Sequence, residues 1–302
     1  MRYIKTPLRY AGGKSKAYGF ISTYIPFWPK PKRIVSPFIG GGSLEVRWAN
    51  ELDIEVIGYD VFDMLVNFWK VLLEQPQELS KELSKITPDD NTYKEVKDIL
   101  LHLDKTQELL AGWKTNSYKR EVMITLNDLE RASFYYFNHN TSYGPGYLGW
   151  GSSVYLQADK WKSMVSKIRN FECPNLKVYQ ESFETSIPRH SNDLLYLDPP
   201  YYLERDADNK MFKGIYPMRN IPVHHDSFDH EKLRDLLHNH KGSFVLSYNN
   251  CATIREYYKD FHQVFPKWSY SMGNGETRIG KHRREQGISN TKESHEILII
   301  KP

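Results

Sequence analysis

The chain has 302 residues, enough to bury a full core as one large domain or as a core with an inserted subdomain. Its 41 Lys and Arg against 37 Asp and Glu leave a formal charge of +4, a mild basicity that suits a polyanionic partner where the charge clusters. The two cysteines, Cys173 and Cys251, offer neither a disulfide framework nor a zinc-ligand spacing, and no segment approaches the ~18 consecutive apolar residues of a membrane span.

Met1 to Lys5 lack the apolar run of a signal peptide, so the expected location is the cytoplasm. Tyr10-Ala11-Gly12-Gly13-Lys14-Ser15 superficially suggests a phosphate loop, but a Walker A motif needs glycine where Leu8 stands. A lysine after two glycines can instead neutralise a carboxylate, such as the one on the methionine part of S-adenosylmethionine. Ile34-Val35-Ser36-Pro37-Phe38-Ile39-Gly40-Gly41-Gly42-Ser43, followed by Leu44 to Ala49, reads as strand, glycine turn and helix. A nucleotide-like cofactor fits there, and Glu45, standing where a dinucleotide fingerprint needs glycine, disfavours a nicotinamide or flavin. Ile54 to Asp60 reads as a second strand ending in an acid at the spacing where such folds hold ribose hydroxyls. Asp60 is the candidate ribose ligand; an N-cap for the helix starting near Asp63 is the alternative.

Residues 63–170 change character: apolar positions at helical spacing among charges, with breaks at Pro76, Pro88 and Gly112, predict a helical insert. Within it, Arg131 to Phe137 reads as an aromatic core helix running into a polar turn. Asn138, Asn140, Thr141, Ser142 and Tyr143 there offer amides and hydroxyls able to read base edges. Beyond the insert come the strand Leu176 to Gln180 with Glu181-Ser182-Phe183, and then the apolar run Leu194 to Leu197, which stops at Asp198-Pro199-Pro200-Tyr201. That ending delivers a carboxylate, a rigid carbonyl and a flat ring to one spot, which is a device for holding a planar amine. Asp198 and the Pro199 carbonyl can accept the hydrogens of an exocyclic base amine, and Tyr201 can stack on the base. Leu203 to Asp226 either closes over the base or is a surface loop. His224, His225 and His230 cluster in the sequence, and no metal site is expected there. Arg278, Lys281, His282, Arg283 and Arg284 form a basic stretch that is either a solvated loop or a contact to the DNA backbone.

Taken in order, Tyr10 to Lys14, Pro37 to Ser43, Asp60 and Asp198 to Tyr201 resemble the Dam-like class of S-adenosylmethionine-dependent DNA adenine methyltransferases, from Leu8 to Ile300. The resemblance implies an α/β, Rossmann-like methyltransferase core with a mostly parallel sheet, formed by residues 1–62 and 171–302, and an inserted helical DNA-recognition subdomain at 63–170. It implies that Tyr10, Lys14, Asp60 and Asp198 contact the cofactor, with Phe183 near its adenine. Ala11, Gly12, Gly13, Pro37, Phe38, Gly40, Gly41, Gly42, Ser43 and Ser182 complete the candidate donor pocket. Ser294 to Ile299 corresponds to the closing strand of the sheet in relatives. The implied reaction is methylation of adenine N6 in duplex DNA after base flipping. Methylation of cytosine N4, of RNA, or a non-catalytic DNA-binding role are the alternatives. Target sequence, monomer or homodimer, and a cognate restriction endonuclease stay open.

Overall fold

A computed structural model describes residues 5–10, 12–26, 29–110, 126–144, 146–202, 228–266, 269–271, 291–293 and 295–302. The chain divides into two compact units: Met1–Thr6, Gly12–Val66 and Glu172–Pro302 form the first, and Pro7–Ala11 with Asn67–Phe171 the second.

The first unit is built on a seven-stranded sheet. Its strands are β1 (Arg33–Ser36), β2 (Glu55–Asp60), β3 (Leu176–Gln180), β4 (Leu194–Leu197), β5 (Phe244–Asn249) and β6 (His262–Val264), joined by the C-terminal Glu296–Lys301. Two short strands, β7 (Ser269–Ser271) and β8 (Thr291–Glu293), pair with each other separately, which makes the C-terminal strand β9. The sheet order is β3-β2-β1-β4-β5-β9-β6, with β9 antiparallel to both neighbours and the other pairings parallel. A mixed α/β, Rossmann-like architecture with a mostly parallel sheet is therefore present.

The central strands read as unbroken apolar runs because parallel sheets are covered on both faces. All of β4 and β5 is buried, whereas β3, at the edge, buries only Leu176 and Val178. Helices Phe183–Arg189 and His230–Asn239 bring Phe183, Ile187, Leu233 and Leu237 into one apolar cluster with Val35 and Leu246. Helix Glu45–Glu51 buries Trp48, whose ring meets Tyr196 edge-on at 5.0 Å. β9 lies within the sheet, with Glu296 opposite Asn249, and the three-residue β6, too short to give a periodic signal, takes the edge.

β1 pairs with β2 on one side and β4 on the other, so the strand order reverses between β1 and β4. Open α/β sheets bind ligands outside the carboxyl ends of the strands at such a point. The glycine turn follows β1, and Asp198 to Tyr201 follow β4. Gly58 on β2 fixes the turn's approach: a Cβ there would lie 2.3 Å from Ile39 Cδ1 and 3.0 Å from Ile39 Cβ. The bare backbone lets Ile39 pack onto β2 and donate its N–H to the Tyr59 carbonyl at 2.9 Å.

The second unit is helical. Pro76–Lys85, Asp90–Leu110, Asp128–Thr141 and Ala158–Arg169 lie in it together with the larger part of Asp63–Glu74. Asn127 opens Asp128–Thr141 with a reciprocal capping box to Glu130. Phe68 stacks on Tyr136 at 5.2 Å, and Phe137 meets Trp161 edge-on at 5.1 Å. Residues 7–11, assigned from sequence to the core, belong to this unit. The Arg9 N–H donates to Asn140 Oδ1, the Asn140 amide donates to the Pro7 carbonyl, and the His139 ring donates to the Arg9 carbonyl.

Candidate active site

The end of β4 places Asp198 against the N-terminal lysine. Lys14 Nζ donates to Asp198 Oδ1 at 2.9 Å, Asp198 Oδ2 at 3.0 Å, the Tyr201 hydroxyl at 3.0 Å and the Gly12 carbonyl at 3.2 Å. It also lies 3.2 Å from Glu296 Oε1, an oxygen that accepts the Tyr201 hydroxyl proton. The ammonium is enclosed, 2% exposed, while Asp198 keeps a quarter of its side chain open. Sequence reasoning assigned Lys14 to a carboxylate of the methyl donor; in the structure its ammonium meets two carboxylates of its own chain. Burial pushes the Asp198 carboxyl up to about 6, with the Lys14 ammonium opposing and the Glu296 carboxylate adding to the rise.

Pro199 is buried and Pro200 half-buried, which fixes the backbone between the acid and the ring. Asn249, at the end of β5, clamps the next residue: Tyr202 N–H donates to its Oδ1 and its amide donates to the Tyr202 carbonyl, both at 2.9 Å. The Tyr201 ring lies 6.2 Å from Tyr248.

Across the switch point, the glycine turn is held from several sides. Gly40 and Gly42 adopt φ of 45° and 61°, a region costly for other residues. The Gly40 N–H donates to Asp60 Oδ2 at 3.2 Å, and the Phe62 N–H to Asp60 Oδ1 at 3.0 Å. Asp60 therefore braces the glycine turn and closes a turn onto the Phe62 N–H just ahead of the helix that starts at Asp63. Lys14 N–H donates to Ser43 Oγ at 3.0 Å, and the Thr6 hydroxyl donates to the Gly41 carbonyl. Pro37, Gly41 and Gly42 are buried, whereas Gly12 and Gly13 are exposed. Phe38, Phe183 and Phe228 form an aromatic cluster with centroids 5.0 to 5.6 Å apart. Ser182 accepts from the Glu184 N–H, so it caps the helix that carries Phe183.

Behind the turn lies Glu45, 3% exposed. The Ser36 hydroxyl donates to its Oε1 at 2.8 Å, and the Leu44 N–H donates to Oε2 at 3.2 Å. Burial raises its carboxyl to about 7, despite those hydrogen bonds.

In the helical unit, Asn138, Asn140, Thr141 and Ser142 are all buried. Asn138 Oδ1 accepts from the Leu148 N–H, the Thr141 hydroxyl donates to the Phe137 carbonyl, and the Ser142 hydroxyl donates to the His139 carbonyl. With Asn140 committed to Pro7 and Arg9, these groups are spent inside the unit instead of presenting base-reading edges, and Asn138, Asn140 and Thr141 lie in the last turn of helix Asp128–Thr141, with Ser142 capping it, not in the polar turn expected from sequence. Tyr143 is 42% exposed and Trp150, across the Ser142–Gly151 bridge, 82%. Tyr10 is 39% exposed and stacks on His139 at 5.6 Å. Ala11, Arg283, Arg284 and the segment 203–227 lie outside the described residues.

Glu296, Glu45, Gly58, Phe228 and the Asn249 clamp escaped sequence reasoning. The one available signal for Glu296 was an acid opening an otherwise apolar strand. Among the described residues, no helix is long and apolar enough to cross a membrane.

Known proteins agree with the geometry. Over 99% of its length the chain is similar to the modification methylase StsI of Streptococcus sanguinis, with 22% identity over 303 aligned residues. It spans only 43% of that relative's length. A family profile matches residues 10–272, which hold the glycine turn, Asp60 and Asp198 to Tyr201, and the chain belongs to the D12 class N6 adenine-specific DNA methyltransferases.

Proposed function

We propose that the chain transfers a methyl group from S-adenosylmethionine to the N6 amine of adenine in duplex DNA, at a specific site. The observation that carries this reading is Asp198, a partly open carboxylate at the end of β4, facing the glycine turn across the strand-order switch. Exposed backbone at Gly12 and Gly13, Asp60 at the end of β2 and the Phe38, Phe183 and Phe228 rings would hold the donor's polar and adenine parts. That donor supplies an electrophilic methyl on a sulfonium sulfur, which leaves as a neutral thioether.

The residues of the chain prepare the acceptor. An exocyclic amine is a poor nucleophile while its lone pair is delocalised into the ring. Asp198 and the Pro199 carbonyl accept its two hydrogens, letting the nitrogen become tetrahedral and form the new N–C bond. The nitrogen then carries one proton too many, which leaves through Asp198 or water. Because the base cannot reach Asp198 from inside the duplex, it must flip out, at a cost of a few kcal/mol that stacking on Tyr201 partly offsets. Tyr143 is the candidate for reading the flanking sequence, and the expected partner is DNA, with a cognate restriction endonuclease a further possibility for a modification enzyme.

Modified-base sequencing of DNA from a methylation-deficient host expressing the chain tests this. N6-methyladenine at one motif, absent with Asp198→Ala, is the expected result. Methylcytosine, or no modification with a folded and donor-binding chain, refutes it.

A further inference from the structure

Glu296 opens β9, whose next four residues, Ile297 to Ile300, are buried and apolar. A carboxylate in that position is costly to bury unless something needs it there. Its neighbours are the ends of the proposed reaction centre: Oε1 accepts the Tyr201 hydroxyl and lies 3.2 Å from Lys14 Nζ. Tyr201 in turn accepts from Lys14 at 3.0 Å, so the three side chains form a directed chain from ammonium to phenol to carboxylate.

We propose that Glu296 is a positioning residue for methyl transfer, holding the Lys14 ammonium and the Tyr201 ring so that Asp198 keeps acceptor capacity for the target amine; this rests on the function proposed above. Lys14 has three hydrogens to distribute, and five oxygens lie within 3.2 Å of its nitrogen. Without Glu296 the ammonium loses one of the two carboxylates that lie within 3.2 Å of it, and more of its pull falls on both oxygens of Asp198. A carboxylate held that way by a cation is a weaker acceptor for a second donor. The Tyr201 hydroxyl, donating to Glu296, also fixes the para end of the ring whose face is offered to the flipped base.

The same arrangement gives a signature that a merely structural role lacks. Among the described residues, the titratable groups around Asp198 are Lys14 from the N-terminal segment, Glu296 from β9, Tyr196 from β4, Tyr201 beside it and Glu45 from helix Glu45–Glu51; β5 contributes the uncharged Asn249 opposite Glu296. Removing the Glu296 charge takes away a repulsion and tightens Lys14 on Asp198. Both changes move the titration of Asp198 downward.

The test compares wild type with Glu296→Gln and Glu296→Asp in the full chain. Single-turnover methylation of a duplex carrying the target is measured from pH 5 to 9, alongside donor and duplex affinities. Glu296→Gln is expected to lose about ten-fold in single-turnover rate and to shift the acid limb to lower pH, with both affinities within about two-fold, and Glu296→Asp is expected to recover part of the rate. A lowered rate with an unmoved acid limb, or no change in rate, overturns the proposal. The Asp198 carboxyl is also titrated by carbon-13 NMR without donor or DNA, in wild type and Glu296→Gln. An unchanged midpoint overturns the proposal even if the chain methylates nothing, whereas absent methylation by wild type counts against the proposed function alone.

Discussion

Replacing Lys14 by methionine removes the ammonium and keeps an unbranched side chain of similar length. Asp198 and Glu296, both within 3.2 Å of the lost nitrogen, are then left facing each other. Breaking a buried pair in this way costs about 3 to 5 kcal/mol. The quarter of Asp198 that stays open to solvent puts Lys14→Met at the lower end, about 3 kcal/mol near pH 8. The cost depends on pH with a defined sign. In the wild type the Asp198 carboxyl lies near 6, with burial raising it and Lys14 opposing. Without the ammonium it rises further, so from pH 8 to pH 6 the folded variant takes up more proton than the wild type, which is about half-protonated at pH 6, while the unfolded chain takes up almost none. Each unit of separation returns about 1.4 kcal/mol, so the deficit is expected to shrink by up to about 2 kcal/mol by pH 6. Urea denaturation between pH 6 and 8.5, followed through tryptophan fluorescence with Trp48 buried in the same unit, measures the difference. A deficit that stays constant with pH refutes the assignment of Lys14 as the counter-charge. So does a Lys14→Met, Glu296→Gln double variant that is no more stable than Lys14→Met at pH 8.

Glu45→Gln is expected to stabilise the chain near pH 8 and to lose that advantage towards pH 4.5. Its carboxyl is raised from 4.5 to about 7 by burial, so ionisation costs stability above 7, up to about 3 kcal/mol less about 1 kcal/mol for the weakened Leu44 bond, and pH-dependent denaturation checks it. Tyr201→Phe keeps the stacking face and the direct Lys14–Glu296 contact but releases the para end of the ring, so it should lower the rate less than Glu296→Gln and leave the acid limb near its wild-type position. Tyr201→Ala should fall a further ten- to hundred-fold in single-turnover methylation, from about 1–3 kcal/mol of lost stacking. Asp60→Ala should weaken S-adenosylmethionine binding by about 1–3 kcal/mol in calorimetry, both as a lost ligand and because the Gly40 N–H loses its acceptor; unchanged affinity moves the ribose site elsewhere.

Much of the fold was legible because its signals are local. Val35, Leu195 and Leu246 lie in short apolar runs, each followed by a glycine turn, an acid or a polar end, and a strand buried on both faces has no choice but to look like that. The glycine turn and Asp198 to Tyr201 were legible for the same reason: each packs its chemistry into consecutive residues. Asn138, Asn140, Thr141 and Ser142 were misread because residue type reveals the capacity to hydrogen-bond and not the direction it faces. The backbone of residues 7–9 and 148 needed partners inside the unit, and those side chains supplied them.

Lys14, Asp198, Tyr201 and Glu296 pose a different problem, since the contacts span 184 positions from Lys14 to Asp198 and 95 from Tyr201 to Glu296. No window of sequence holds them together. Yet the acid at the head of Ile297 to Ile300 carried information of its own. Burying a lone carboxylate in a sheet costs several kcal/mol, so a fold that keeps one must bring a cation or a donor to it. Lys14 reaches the end of β4 from the N-terminal segment, and the neighbouring Gly12 carbonyl accepts one of its hydrogens. Its ammonium, in turn, is tolerated at 2% exposure only because two acids meet it. Each charge thus makes the others affordable, and the network exists as a unit or not at all, which is why its members resist being read one at a time.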